Sequence, residues 1–166
     1  MSTGDDVMCV AAVHHFGTLP ENDWPAVATH LVGAGYNGDD LFALAGHSSR
    51  ESKWVIDELI PGALADLGVP ALTDDGAAEV IARLISQTTP VGGHPITGSL
   101  GKIAREREGP SSGLVAEARL MCEHLKGKDV EALPHRLEAD RFEARLRSLP
   151  PTNVPPALAE ILTRSL

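Results

Sequence analysis

Residues 23–68 constrain this chain more than any other stretch, because they write two amphipathic helices around one glycine-rich connection. Trp24, Val27, Ala28, Leu31 and Val32 recur at the spacing of a single helical face. Asn22 or Asp23 stands where a cap is needed, and Pro25 falls in the first turn, where a missing amide hydrogen costs little. Gly33 or Gly35 is suited to end the helix in a left-handed conformation.

The second long helix is expected to start at Ser48, since Ser48 and Glu51 form a capping box. Ile56, Leu59, Ile60, Ala63, Leu64 and Leu67 make its stripe, and Gly68 fits the position just past its end. Pro61 interrupts the pattern and predicts a kink or a break, because it removes one hydrogen bond and crowds the carbonyl of Asp57. Between the two, Asn37 or Asp39 caps a short helix through Leu41, Leu44 and Ala45, closed by Gly46.

The other segments follow the same logic. In residues 5–15, Val7, Val10, Ala11 and His14 are helically spaced; the apolar run also fits a strand, but no second strand offers a partner, so helix is favoured. Thr73 caps a helix whose first turn carries Asp74 and Asp75, with Ala77, Val80, Ile81, Leu84 and Ile85 as its stripe and an end near Gln87. Residues 88–95 contain two prolines and a Gly-Gly pair and read as a loop. A weaker helix over 97–108, capped by Thr97, runs through Leu100, Ile103 and Ala104, with Gly98 and Gly101 against it. Leu114, Ala118, Met121, Cys122 and Leu125 form the next stripe, capped by Ser111 or Ser112 and stopped at Gly127. Pro134 divides a turn from a helix reaching Ser148, which buries Ala139, Phe142, Leu146 and Leu149 and displays Arg136, Glu138, Arg141, Glu143, Arg145 and Arg147. The last helix, capped by Asn153, uses Leu158, Ile161 and Leu162.

The expectation is therefore an all-α chain, an irregular bundle of about eight helices with no significant sheet, in which neighbours pair as hairpins. The pairs expected are 24–34 with 49–67, 74–87 with 97–108, and 112–126 with 134–148. No fixed repeat period supports a solenoid. At 166 residues one domain is expected, with an N-terminal segment 1–22, the organising pair 23–68, further helices 69–149 and a C-terminal helix 150–166.

Charge narrows the function classes. Residues 1–100 carry 13 Asp/Glu and 3 Lys/Arg, a net of −10, whereas residues 101–166 carry 10 and 11, a net of +1. General nucleic-acid binding needs basic residues facing phosphates, so it is not expected. No apolar run approaches the roughly 20 residues of a spanning helix. Asp5 and Asp6, with no Lys or Arg, precede the first apolar run, the opposite of a secretory leader. Cys9 and Cys122 make no disulfide framework, so a cytoplasmic setting with both thiols reduced is expected. Ten arginines against four lysines, with abundant Ala, Gly and Pro, fit a GC-rich bacterial source.

Chemistry-bearing residues are scattered. Neither His-Glu-x-x-His nor Glu-x-x-His occurs among the seven histidines. Cys122 and His124 point about 200° apart on a helix, which makes them poor co-ligands and places His124 at the surface. Glu131, His135 and Glu138 share a face only if a helix runs through Pro134, and a solvated charged face is the simpler reading. Cys9, His14 and His15 do not converge. Gly92-Gly93-His94 has no lysine and is not a P-loop. Without Gly-x-Ser-x-Gly or a strand-to-helix elbow, no hydrolase is argued. No catalytic, cofactor or metal site is expected.

The surface of greatest interest is 37–51, which offers Tyr36, Asn37, Asp39, Asp40, Phe42, His47, Arg50 and Glu51, with Lys53 and Trp54 beyond. Tyr, Trp and Arg are favoured interface anchors. The plainer alternative is that Tyr36, Phe42 and Trp54 complete the core there. The functional expectation is a small protein-binding module, an adaptor or immunity-type protein, whose acidic surface meets a basic protein partner. The alternatives are a helical enzyme or small-ligand binder with a pocket near His47, Glu51 and His94, and a homodimer that covers the exposed stripes.

Overall fold

The computed structural model describes residues 4–47, 53–107, 113–126 and 133–166. Among these the chain is all-α, with nine α-helices and no strand: α1 Asp5–His15, α2 Trp24–Gly33, α3 Asp39–Gly46, α4 Lys53–Asp66, α5 Asp74–Thr88, α6 Pro95–Glu106, α7 Leu114–Lys126, α8 Leu133–Arg147 and α9 Pro156–Thr163. A short 3-10 turn, Glu21–Asp23, leads into α2. Contacts gather into two compact units: Met1–Leu72 with Asn153–Leu166, and Thr73–Thr152.

In the first unit, α1 is helical, as its i, i+3, i+4 spacing predicts. Both parities of the run are buried because Val7, Cys9, Val10, Ala11, Ala12 and Val13 are all enclosed. Asn153 does not cap α9, which starts at Pro156 after Pro155 with no side-chain cap; the Asn153 backbone amide donates to Asp5 Oδ2 at 2.7 Å. In α2 the stripe Trp24, Val27, Ala28 and Leu31 is buried, and Gly35 terminates it at φ +100°. Asp23 makes no capping bond; its carboxylate faces Arg164 at 3.6 Å.

α2 packs chiefly on α3, and α3 on α4, so the expected pairing of α2 with α4 is the minor one. α4 runs through Pro61 without a break. Pro61 lies on the exposed side, where solvent can take the carbonyl left unbonded. The Ser48–Glu51 capping box, with Arg50, lies outside the described residues.

In the second unit α5 starts as expected, with Thr73 Oγ1 accepting from Gly76 N at 3.0 Å. α6 packs chiefly on α7, and α7 on α8 as expected, whereas the expected pairing of α5 with α6 is a minor one, α5 touching α6, α7 and α8 alike. Gly101 makes the close α6–α7 approach possible, because a Cβ there would lie 2.6 Å from Cys122 Sγ. α8 accommodates Pro134 in its first turn, where no amide hydrogen is required. Two expectations fail here together. Glu143 is not displayed but buried, and Thr97 does not cap its own helix; its hydroxyl donates to Glu143 Oε2 at 2.6 Å. The proposed caps Ser111 and Ser112, and Glu131, lie outside the described residues.

Candidate functional site

The α3–α4 hairpin begins with a chain reversal that a side chain from far along the sequence secures. Neither Asn37 nor Asp39 caps α3. Asn37 Nδ2 instead donates to Gly35 O at 3.2 Å. The first amides of α3 are taken by Asp66, in the last turn of α4, whose Oδ2 accepts from Asp40 N and Leu41 N at 3.1 Å each. A carboxylate is the right group there, since unpaired amides and the helix dipole both favour negative charge. Gly38 leaves the room, as a Cβ would lie 2.2 Å from Asp66 Cγ.

Leu41 and Leu44 face inward from this hairpin, with Ile56, Ile60 and Ala63 opposite on α4. The exposed residues include Asp39 and Asp40 on α3, the latter with its carboxylate over Gly62 of α4, and Lys53, Asp57 and Glu58 on α4. Two large aromatics lie outward as well. Phe42 is 46% exposed and Trp54 66% exposed, so neither completes the core. Phe42 follows Leu41 by one residue and so leaves the Leu41–Leu44 stripe; Trp54, two residues before Ile56, lies about 200° round α4 from that residue. Tyr36 behaves differently. It is half-buried, and its hydroxyl donates to Asp6 Oδ1 at 2.7 Å, which pushes its pKa up to about 12 because the bond and the nearby carboxylate favour the neutral phenol. His47 follows α3, half-buried; Arg50 and Glu51 lie outside the described residues.

Charge follows the same division. The first unit holds 11 Asp/Glu against 3 Lys/Arg, a net of −8, and the second 12 against 11, a net of −1. No helix among the described residues is long and apolar enough to cross a membrane.

The second unit gathers its polar side chains along α8. His94 Nε2 meets Asp140 Oδ1, so His94 is engaged within its own unit. One group of metal-ligand type also converges: His124 from the end of α7, with His135 and Glu138 from α8. Cys122 faces α6, which agrees with its being a poor partner for His124. His124 itself is not a surface residue, since its side chain is only 17% exposed. Pairing across two helices is invisible to spacing rules applied to one helix, which is why this group escapes the sequence. Its one signal is the His135-x-x-Glu138 step.

No family model, curated protein or solved structure matches the chain. The residues themselves carry any functional argument.

Proposed function

We propose that this chain works by binding another protein, and that the outer face of the α3–α4 hairpin meets a basic partner. The observation behind this is the exposure of Phe42 and Trp54 beside Asp39, Asp40, Asp57 and Glu58 on one pair of packed helices. Exposed aromatics supply the desolvated anchor of an interface, while surrounding carboxylates select a basic counterpart and speed its approach. The concentration of net charge in the first unit supports the same choice, because a net of −8 repels acidic partners and attracts basic ones.

The test starts with co-purification from the native host, followed by titration of the isolated partner at low and high salt. The expected result is a salt-sensitive complex that Asp39→Lys with Asp40→Lys and, separately, Trp54→Ala both weaken. No complex, or one indifferent to both changes, removes the reading. The reading as a helical enzyme or small-ligand binder near His47, Glu51 and His94 has less behind it: Glu51 lies outside the described residues, and the His94 ring is already held by Asp140.

A further inference from the structure

His124, His135 and Glu138 each present a ligand atom within 4.8 Å of the other two. Glu138 Oε2 stands 3.9 Å from His124 Nδ1 and 4.0 Å from His135 Nδ1. The two imidazole rings lie 4.3 Å apart at 33°. We propose that these three side chains form a divalent transition-metal site, and that the ion they suit is Zn²⁺.

Five observations converge on this. The donor set is two imidazole nitrogens and one carboxylate oxygen, which suits zinc and leaves a fourth position for water or another ligand. The geometry is nearly closed: donors at 2.0–2.2 Å around a tetrahedral ion sit about 3.4 Å apart, so small rotations of exposed side chains bring them in. His124 Nδ1 is buried and makes no hydrogen bond, an arrangement polar atoms avoid and a bound cation would relieve. Access is open on the other side, since His135 and Glu138 have side chains 53% and 52% exposed. The helices set the placement as well, with His135 and Glu138 one turn apart on α8 and His124 brought to them by α7–α8 packing. Such an ion ties the last turn of α7 to the first turns of α8. The inference is independent of partner binding by the α3–α4 face.

The experiment is calorimetric titration of the full chain, stripped of metal by a chelator, with Zn²⁺, and with Co²⁺ as a spectroscopic probe. His135→Ala and Glu138→Gln are the chosen variants because both side chains are exposed, and circular dichroism checks that helix content is kept. His30→Ala, in the first unit, serves as the control. The expected result is one Zn²⁺ per chain at micromolar affinity or tighter, with the visible absorption of tetrahedral Co²⁺. Each ligand variant should bind at least roughly 100-fold more weakly, since even the outer partners of metal ligands contribute 10–100-fold. The His30→Ala chain should match the wild type. Failure of the wild type to bind Zn²⁺ stoichiometrically, or equal binding by the two ligand variants, overturns the proposal.

Discussion

Glu143, on α8, takes both polar groups of Thr97, in the first turn of α6: it accepts from the backbone amide at 2.8 Å and from the hydroxyl at 2.6 Å. Its other oxygen accepts from Ile96 N at 3.1 Å and faces Arg147 Nε at 3.8 Å. Thr97 is fully enclosed and Glu143 nearly so. A buried carboxylate is costly by itself, but three donors, a guanidinium and the positive end of a helix together offset its desolvation.

Glu143→Ala should therefore cost about 3–5 kcal/mol, the range for removing one partner of a buried charged network. Thr97→Val leaves the carboxylate its backbone donors and should cost about 1–2 kcal/mol. The double variant should cost less than the sum, because the two share one network. Urea unfolding measures all three. Strict additivity would mean that the two residues act separately.

Asp66 reaches across the first unit to hold the start of α3. Asp66→Ala removes the acceptor for two amides and should destabilise by about 1 kcal/mol, the usual worth of an N-terminal cap. Asp66→Asn keeps a carbonyl oxygen and should cost less. Amide hydrogen exchange at Asp40 and Leu41 is the direct readout, since both should exchange faster in the alanine variant. Unchanged exchange at those two positions would show that the cap is not what secures α3.

Tyr36 links stability to alkaline pH. Its folded pKa, raised to about 12 by the bond to Asp6, exceeds the ordinary value of 10.0. The stabilisation is complete below pH 10 and is lost as pH climbs towards 12. Tyr36 is the sole tyrosine, so tyrosinate absorbance reports it alone. Wild type should lose stability between those pH values, and Tyr36→Phe should flatten that part of the curve. An absorbance midpoint near 10 in the folded protein would contradict the assignment.

His14 gives the opposite sign at acid pH. Desolvation of the ring, beside the Trp24 edge at 5.6 Å, lowers its pKa first of all, and the neighbouring His15 lowers it further. The unfolded chain therefore binds the proton more readily, and stability should fall as pH drops below 6.5. His14→Gln should weaken that dependence. Equal acid sensitivity in the variant would place the effect on other groups.

What the sequence could carry was local. The stripes of α2 and α5, the Thr73 cap and the glycine after α2 follow from 3.6-residue periodicity and turn chemistry, and all of them appear, whereas of the stripe expected on α7 only Ala118 and Met121 are buried, with Val115 beside them. What it could not carry was any relationship set by packing. Gly101 reads as a helix breaker until Cys122 of the neighbouring helix is laid against it. Glu143 sits among Arg141, Arg145 and Arg147 and looks like one more surface charge, yet the residue that makes it internal is Thr97, 46 positions away. Asp66 caps a helix that begins 27 residues earlier in the chain, so proximity rules nominate Asn37 or Asp39 instead. His124 lies about 200° round its helix from Cys122, which by helix geometry alone points it at solvent; His135 of the next helix, stacked 4.3 Å from it, is what the spacing does not carry.

The two tryptophans provide the sharpest contrast in the first unit. Trp24 is 2% exposed in the stripe of α2, whereas Trp54 is 66% exposed on α4. Trp24→Ala should cost about 3–5 kcal/mol, as truncations of buried aromatics do. Trp54→Ala removes a largely exposed side chain, and should change stability by no more than about 0.5 kcal/mol. If Trp54 were instead part of the core, the two costs would be alike, and the anchor role would have no basis. If Trp54→Ala is silent in unfolding yet weakens the complex with a basic partner, the side chain is held exposed for binding rather than for folding. That combination separates an interface residue from an incidental surface tryptophan, which would be silent in both measurements.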